Sequence, residues 1–465
     1  MRELVGVEPP SRVPPAPARV VIDLRPLQEP ERTPITAAYL QCLLAAFAAD
    51  PLPGESFVPV LRLLRPDPTR GPGLDHLAVA GRRRVFPTAR FLRSAGLTVD
   101  AFQLRGAEIG SSHGHGEVGA TGVLYHTAGG AVPLGSDLPV VATLLDLAPW
   151  ELPSIYAASP AARFGHRLRA RILRDARRLI VCSDATAEAA RRLVRIRPER
   201  IAVVGLAAGD AFVLAAGRPD HFAGLRARLS LPPRYLVFTG RYDARKDLGT
   251  LFRALAALRE ESPDLSSRRR RLAQPEGAAA TTAAGPSTAS GPPRSGRGSA
   301  AGRGDASDSV PWPPVVVLAG ATGEGESDAP ALARAAARHG VEDLVFLVPH
   351  LSSDDLATLE AGAEAAVFPA ISEGTGLAVL EALAVGIPVV ASRVGPLPEL
   401  IGPAGIIVEP RDPARLAAAL RAAWSGPIHD QLRRVARQRA LAGRRTWTDV
   451  ARETRDVYAA ALVAD

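Results

Sequence analysis

Residues 364–392 read EAAVFPAISEGTGLAVLEALAVGIPVVAS, and this stretch indicates the fold of the chain. Its first apolar run is typical of a buried strand. The apolar residues after the glycines recur at helical spacing until Gly386, which is suited to end a helix. The run IPVVAS predicts the next strand. A strand, a glycine loop, a helix and a strand in this order form a unit of a parallel α/β sheet, whose loops present helix N-termini to ligands.

Strands and helices alternate along both halves of the chain. In the first half the runs RVVIDLRPL and PVVATLLDL predict strands, and in the second half RYLVFTGR, PVVVLAG and GIIVEP do. A chain of 465 residues is long enough for two or three domains. The pattern therefore predicts an α/β protein with two parallel, doubly wound domains.

The domain boundaries follow from changes in composition. We predict a disordered tail over residues 1–17, a first domain over 18–225, a second domain over 226–425 and a C-terminal helical segment over 426–465. Residues 262–312 are rich in Ala, Gly, Ser and Pro. Such a composition cannot bury a core, so we expect a disordered insertion after the first helix of the second domain.

The composition also narrows the class of protein. No run of about 18 apolar residues predicts a membrane span, and the proline-rich N-terminus lacks the apolar region of a signal peptide. The net charge is +8, but residues 262–312 alone carry seven arginines against four acids. Because no basic stripe interleaved with aromatics occurs elsewhere, we expect no nucleic-acid partner. Cys42 and Cys182 lie in apolar contexts, which indicates reduced thiols in a cytoplasmic protein.

The only lysine of the chain, Lys246, lies in a candidate anion site. It belongs to the segment FTGRYDARKDL, which also contains Arg241 and follows a predicted strand. Parallel sheets bind ligands at the carboxyl ends of their strands. We expect both cations to face the same crevice as the backbone N–H groups of the glycine turn, where they would bind phosphate oxygens. That turn comprises Gly374, Thr375, Gly376 and Leu377. Taken alone, FTGRYDARKDL also fits a solvated loop with incidental charges.

Two glutamates flank this turn. Glu381 lies in the first turns of the predicted helix and can accept hydrogen bonds from the vicinal hydroxyls of a ribose. Glu373 precedes the turn and would face whatever lies beyond the phosphates. A diphosphate with ribose on one side and a polyhydroxyl group on the other is a nucleotide sugar. Two glutamates eight residues apart are common by chance, so the full string is the more specific signal.

The string FPAISEGTGLAVLEALAVGIPVVAS resembles the signature of retaining glycosyltransferases of the GT-B fold, in the large family numbered four. GRYDARKDLGTLFRAL resembles the donor-phosphate segment of the same family, and the resemblance covers most of residues 18–463. It implies two Rossmann-like domains that face each other across a cleft. It also implies transfer of a sugar from a nucleoside-diphosphate sugar to an acceptor hydroxyl with retention of configuration, without a metal or a cofactor. The acceptor would be a polysaccharide, a lipid-linked molecule or a small molecule.

The resemblance also implies roles for individual residues. Arg241, Lys246 and the turn over 374–377 would hold the donor pyrophosphate. Glu381 would bind the ribose, and Glu373 would lie beside the donor sugar at the reacting centre. The C-terminal helical segment would pack back onto the first domain.

The first half departs from the family pattern in two places. QEPERTPITAAYL has no glycine where members carry a glycine pair. ATLLDLAPW keeps Asp146 but has Leu145 at the position of a histidine that supports the donor sugar. We therefore assign catalytic roles to Glu373, Asp146 and His126, although His126, in GVLYHTAG, also fits a buried structural histidine. The alternative function is a catalytically weak or silent partner subunit that binds nucleotide sugar.

Two further motifs carry weaker signals. SSHGHGE brings His113, His115 and Glu117 together, but its small residues indicate a loop and we expect no metal site. The predicted helix over residues 160–178 carries seven arginines between 163 and 178. It could rest on anionic lipid at the inner face of a membrane. We favour a helix packed on the core with an arginine-rich face toward solvent.

Overall fold

The computed structural model describes residues 18–30, 32–71, 73–86, 96–109, 122–129, 132–215, 219–240, 242–261, 311–322, 328–442 and 444–463. Within these ranges the strands form two separate sheets, and every strand pair is parallel. The predicted class, an α/β protein with two doubly wound domains, is confirmed. The predicted tail over 1–17, the SSHGHGE motif and residues 262–310 of the predicted insertion lie outside the described residues.

The first sheet has seven strands in the order β3-β2-β1-β4-β5-β6-β7. These strands are β1 (Arg19–Asp23), β2 (Ser56–Arg62), β3 (Arg83–Val85), β4 (Val123–Ala128), β5 (Val140–Thr143), β6 (Arg178–Val181) and β7 (Ile201–Val203). Successive residues of β1 enter different apolar clusters, with Val20 and Ile22 in one and Val21 in the other. The sheet is therefore covered on both faces, which is typical of parallel sheets.

The second sheet has six strands in the order β10-β9-β8-β11-β12-β13. They are β8 (Leu236–Thr239), β9 (Val316–Thr322), β10 (Val345–Pro349), β11 (Ala365–Phe368), β12 (Val389–Ser392) and β13 (Gly405–Val408). The order reverses between β8 and β11, as it does between β1 and β4 in the first sheet. Open α/β sheets bind ligands beside such a reversal, at the carboxyl ends of the strands.

The α-helices lie between and after these strands. In the first sheet's region they are α1 (Arg25–Gln28), α2 (Pro34–Ala49), α3 (Gly96–Ile109), α4 (Ala148–Glu151), α5 (Pro153–Tyr156), α6 (Pro160–Asp175) and α7 (Asp184–Ala189). Those that follow are α8 (Asp210–Ala215), α9 (Pro219–Leu229), α10 (Leu248–Glu260), α11 (Ala329–Arg338), α12 (Ser353–Ala361), α13 (Leu377–Ala384), α14 (Leu397–Ile401), α15 (Pro413–Trp424), α16 (Pro427–Leu441) and α17 (Trp447–Val463). None of the described helices is both long and apolar enough to cross a bilayer.

The arginine-rich helix α6 packs on the first domain. Ile172 and Leu173 are buried, and Arg169 is buried as well, donating to the carbonyl of Gly129 at 2.6 Å. Four of its other arginines are exposed, namely Arg163, Arg167, Arg171 and Arg174. This arrangement is the core-packed helix that we favoured, and contact with a membrane stays a prediction.

The C-terminal helical segment divides between the two domains. Helix α16 lies on the second domain, where Arg439 donates to the carbonyl of Ile401 at 2.9 Å. Helix α17 lies on the first domain and contributes Tyr458 to its core. The chain thus crosses between domains once after β7 and once after α16. The two crossings touch, because the Arg445 guanidinium donates to the carbonyl of Gly205 at 2.8 Å.

A buried ion pair attaches α17 to the first domain. Arg455 Nη2 and Glu55 Oε2 are 2.8 Å apart, and each side chain is 5% exposed. Arg455 also donates to the carbonyl of Asp50 at 2.6 Å, and its guanidinium lies 4.9 Å from the centre of the Phe47 ring. Three kinds of contact therefore hold one side chain.

We expect Arg455→Ala to destabilise the first domain by about 3–5 kcal/mol, because the substitution leaves the Glu55 carboxylate buried without its partner. Urea unfolding measures this difference. The matched control is Arg452→Ala on the same helix, since Arg452 is half-exposed beside Asp449 and such pairs contribute about 0–1 kcal/mol. Equal losses in the two variants would contradict the role of the buried pair.

Candidate functional site

The candidate site lies at the carboxyl edge of the second sheet, where the loops after β8 and β11 meet. The loop after β8 forms a single turn of 3₁₀-helix over Ala244–Lys246. The Asp243 carboxylate accepts a hydrogen bond from the Arg245 backbone N–H at 3.0 Å and fixes the start of this turn. The backbone N–H of Ile371 donates to the carbonyl of Arg245 at 2.7 Å. This bond ties the two loops together beside the reversal in strand order.

The lysine of the first loop and a glutamate of the second form an ion pair. Lys246 Nζ and Glu373 Oε2 are 2.5 Å apart, and the side chains are 7% and 9% exposed. Burial acts to raise the pKa of Glu373, but the charges of Lys246 and Arg245 outweigh it and lower that pKa to about 2. Glu373 is therefore an anion at every pH near neutrality.

The glycine turn also directs its backbone toward Glu373. The N–H groups of Thr375 and Gly376 donate to Glu373 Oε1 at 3.5 and 3.4 Å, and the Leu377 N–H donates to the Thr375 hydroxyl at 3.4 Å. Gly376 adopts a left-handed conformation with a φ of 65°, immediately before α13. We expected these N–H groups to face phosphate oxygens. In the structure a carboxylate of the same chain accepts from two of them.

Glu381 lies on α13, one turn beyond the start of the helix, and is half-buried. Burial raises the pKa of Glu381 to about 8. At neutral pH Glu381 is therefore mainly protonated, whereas Glu373 is an anion. Glu360, on the neighbouring helix α12, is fully buried. Our sequence reasoning missed Glu360, although there was a signal: it falls on the apolar stripe of DLATLEAGA, in helical register with Leu356 and Ala363.

The first domain contacts this loop region directly. Asp146 Oδ2 lies 2.9 Å from Arg245 Nη1, and Asp146 Oδ1 accepts from the Ala148 N–H at the start of α4 at 2.8 Å. The Thr186 hydroxyl donates to the carbonyl of Gly374 at 3.0 Å. The Ser372 hydroxyl donates to the Glu151 carboxylate in a further contact between the domains. Asp146 is therefore brought to the site, where it pairs with a cation of the second domain.

Gly374 lies at a close approach between the two domains. A Cβ atom at Gly374 would be 2.2 Å from the carbonyl oxygen of Leu145 and 2.9 Å from the Cα of Asp146. Both obstacles are backbone atoms, which cannot rotate away. The closed arrangement therefore requires a glycine at this position.

We expect Gly374→Ala to hold the domains apart at this loop and to lower the rate of any reaction in the cleft by about 10²-fold, the cost of misplacing a reacting group by about 1 Å. Small-angle scattering and initial rates measure the two effects. Gly224→Ala is the matched control, because a Cβ there meets no atom within 4 Å. A Gly374→Ala variant as compact and as active as this control would contradict the expectation.

The structure does not place His126 in the crevice, contrary to the catalytic role that we assigned to it. The side chain is fully buried, its Nε2 lies 2.9 Å from the Thr143 hydroxyl, and its Nδ1 lies 2.7 Å from the hydroxyl of Tyr458. Burial lowers its pKa to about 3, so the ring is neutral. His126 is the structural histidine of our second interpretation, because α17 covers it.

The remaining sequence-predicted positions differ in placement. Leu145 is 2% exposed and packs in the apolar cluster that also contains Leu377. Arg241 lies outside the described residues, so its role stays a prediction. Lys246, Glu373 and Asp146 are brought together through Arg245, whose importance we did not predict. Among the described residues, no group of three or more His, Cys, Asp or Glu side chains could hold a metal ion.

Comparison with known proteins places this geometry in context. The family model described as Glycosyl transferases group 1 matches residues 315–426. A D-inositol 3-phosphate glycosyltransferase from Streptomyces scabiei is 32% identical over 303 residues, which are 63% of this chain and 55% of that protein. A glycogen synthase from Mycobacterium tuberculosis is 43% identical over 129 residues, which are 27% of this chain and 31% of that protein. The chain thus spans about half the length, or less, of these curated relatives.

Solved structures share the fold over nearly the whole chain. A sucrose-phosphate synthase from Thermosynechococcus elongatus aligns with a TM-score of 0.60 at 19% identity, covering 95% of this chain and 98% of that one. The Anabaena protein HepE, in complex with UDP and glucose, aligns with a TM-score of 0.56 at 16% identity, covering 95% and 99%. At these identities the likeness concerns the fold alone.

The resemblance that the glycine-turn motif carries is therefore confirmed: residues 315–426 match the glycosyl transferases group 1, and the two parallel Rossmann-like sheets have the GT-B fold.

Proposed function

We propose that the protein transfers a sugar from a nucleoside-diphosphate sugar to an acceptor hydroxyl, with retention of the anomeric configuration and without a metal. The observation that carries this proposal is the buried pair of Lys246 and Glu373 at the reversal in strand order. It sets a cation for phosphate and a carboxylate for a sugar within one crevice. The curated relatives that carry glycosyltransferase names support the same activity.

Lys246 and Arg241 would bind the donor diphosphate. The ammonium of Lys246 has three N–H donors, and Glu373 accepts only one of them at 2.5 Å. Two donors are therefore left over for phosphate oxygens while the ion pair persists. Arg241 comes two residues after Thr239 in the sequence and would supply a second cation for the diphosphate.

The chemistry needs stabilisation of two charges. When the bond between the anomeric carbon and the diphosphate breaks, negative charge grows on the phosphate oxygens and positive charge on the sugar. The cations and the N-terminus of α13 would stabilise the first charge. Glu373 is already an anion at neutral pH, so it would orient the sugar hydroxyls and offset the second charge. Glu381 would accept hydrogen bonds from the ribose.

The acceptor would enter from the first domain. Leu145 and Asp146 contact the glycine turn across the cleft, so an acceptor bound beside them would reach the donor sugar. A polysaccharide, a lipid-linked molecule and a small polyol all remain candidate acceptors, and D-inositol 3-phosphate is one specific candidate because relatives carry its name. Asp146 would orient the acceptor, and Arg245 would hold the Asp146 carboxylate in place.

A donor panel tests the proposal. UDP-, GDP- and ADP-sugars are incubated with the protein and mixed acceptors in the presence of EDTA, and release of nucleoside diphosphate is measured. One donor should release its diphosphate with EDTA present, and NMR of the product should show the anomeric configuration of the donor. Binding of a donor with no release from any acceptor mixture would instead favour the silent partner subunit.

A further inference from the structure

Arg169 is a buried cation without an acidic partner. Five arginines are buried among the described residues, and four of them form an ion pair. These pairs are Arg25 with Asp23, Arg62 with Glu29, Arg245 with Asp146 and Arg455 with Glu55. The fifth is Arg169, which is 7% exposed and pairs with no carboxylate in the part of the chain that the structure describes. A buried charge is strongly unfavourable unless it is paired, so the described chain leaves this one uncompensated.

Most hydrogen-bond donors of Arg169 also lack an acceptor. A guanidinium has five N–H donors. Nη2 of Arg169 donates to the carbonyl of Gly129 at 2.6 Å, and the guanidinium lies 5.1 Å from the centre of the Trp150 ring. Nε is buried and makes no hydrogen bond. Within the described ranges the structure therefore shows one acceptor for five donors, and the two contacts hold the guanidinium in a fixed place.

Arg169 keeps its charge at neutral pH. Burial lowers the pKa of Arg169 to about 10, and the charge of Asp146 acts in the opposite direction. The Asp146 carboxylate is itself bonded to Arg245 and to a backbone N–H of α4. His166 lies edge-on to the Trp150 ring at 6.0 Å. Burial and the charge of Arg169 lower the pKa of His166, so this ring is neutral and does not offset the positive charge.

The contacts of Arg169 place its guanidinium at the carboxyl edge of the first sheet. Gly129 directly follows β4, and Trp150 lies in α4, which follows β5. A Cβ atom at Gly129 would be 2.3 Å from the hydroxyl oxygen of Thr36 on α2. The loop after β4 and the start of α2 thus meet beside the reversal in strand order between β1 and β4. Parallel sheets bind ligands beside such a reversal.

We propose that Arg169 is a specificity-determining residue that selects an acceptor with a phosphate or carboxylate group. This inference rests on the proposed function, which puts the acceptor on the first domain, and extends it by assigning a charge to that acceptor. The planar fork of a guanidinium matches two oxygens of one anionic group. The bound anion would supply the counter-charge that the described chain does not, while Gly129 and Trp150 keep the fork oriented.

Acceptors that differ only in charge test this inference. Inositol and D-inositol 3-phosphate form one set, and glucose, glucose 6-phosphate and glucuronate form another. With the donor found in the donor panel, kcat/KM of the wild type should be about 10- to 100-fold higher for a charged member, as expected for hydrogen bonds to a charged group. Arg169→Gln should abolish this preference and leave the neutral member within about twofold of the wild type. Equal losses for charged and neutral members, or a wild type that prefers the neutral member, would overturn the inference.

Two further variants complete the comparison. Arg171→Gln is the matched control, since it removes an exposed arginine from the same helix, and it should keep the wild-type preference. If Arg169→Gln does not fold, Arg169→Lys replaces it, because lysine keeps the charge but not the planar fork. The KM of Arg169→Lys for the charged member should rise about tenfold. An unchanged KM would overturn the inference.

Inorganic phosphate tests the anion site without a donor. The Kd for phosphate, measured by calorimetry, should be about tenfold higher in Arg169→Gln than in the wild type. Phosphate bound at the donor site depends on Lys246, so Lys246→Ala should retain the binding that requires Arg169. The same phosphate binding, or none, in the wild type and Arg169→Gln would overturn the anion site. If the wild type transfers sugar from no donor, the proposed function fails, and the phosphate measurement still decides whether Arg169 binds an anion.

Discussion

Lys246→Ala is expected to lower the rate of sugar transfer by about 10²–10³-fold, because one preorganised group that stabilises developing charge is worth about 3–4 kcal/mol. Lys246 is 5% exposed, so no water can replace its ammonium without entering the closed crevice. The loss should be in kcat more than in KM, since the negative charge on the diphosphate grows as the bond breaks. Initial rates with the preferred donor measure both.

A control and a direct probe accompany this variant. Arg253→Ala removes an exposed cation from α10, which begins just after Lys246, and should leave the rate within about twofold if only general electrostatics change. Because the chain has one lysine, reductive methylation with ¹³C labels only Lys246 and the amino terminus. Donor binding should shift the lysine signal. A signal that does not move while donor binds would contradict contact between Lys246 and the diphosphate.

Glu373→Gln is expected to affect both activity and stability. The substitution leaves the Lys246 ammonium buried without its counter-charge, which costs about 3–5 kcal/mol of folding free energy when one partner of a buried pair is removed. Transfer should also fall by about 10²-fold or more, since the positive charge on the sugar loses its nearest anion. Urea unfolding and initial rates measure the two losses.

The pH dependence of stability gives Glu373→Gln a signature of its own. The folded-state pKa of Glu373 is about 2, below the usual 4.5, so its contribution to stability is present above pH 4.5 and lost as the pH falls toward 2. The variant should lack that part of the acid sensitivity. Glu409→Gln is the control, because Glu409 is about half-exposed in its pair with Arg393. The same loss of unfolding free energy below pH 4.5 in the wild type and in Glu373→Gln would contradict the lowered pKa of Glu373.

The fold was predictable from the sequence because its signals are local. Each strand is a short apolar run. The turn before α13 needs a residue in the left-handed conformation, and the sequence has a glycine, Gly376, at that position. That the loops carrying Lys246 and Glu373 share one crevice also followed from topology, since the loops after β8 and β11 must meet at one edge of a parallel sheet; the ion pair between the two side chains was not predicted.

The remainder of the site depends on contacts between distant parts of the chain. The burial of His126 requires Tyr458, 332 residues later, and the sequence does not state where α17 will lie. The pairing of Arg245 with Asp146 depends on how two separately folded domains meet. Glu360 was predictable in part, because an acid on an apolar helical stripe is unusual, but its complete burial became visible only with the packing of α12 on α13.

The contact between Arg445 and Gly205 has a mechanical consequence. Two connections that lie side by side define a line, and bodies joined along a line rotate about it more readily than they slide or twist. The two domains should therefore open by a hinge rotation whose axis passes near Arg445 and Gly205. The displacement of an atom then grows with its distance from this axis. A rotation of a few degrees therefore separates Asp146 from Arg245 while Arg445 and Gly205 stay in contact.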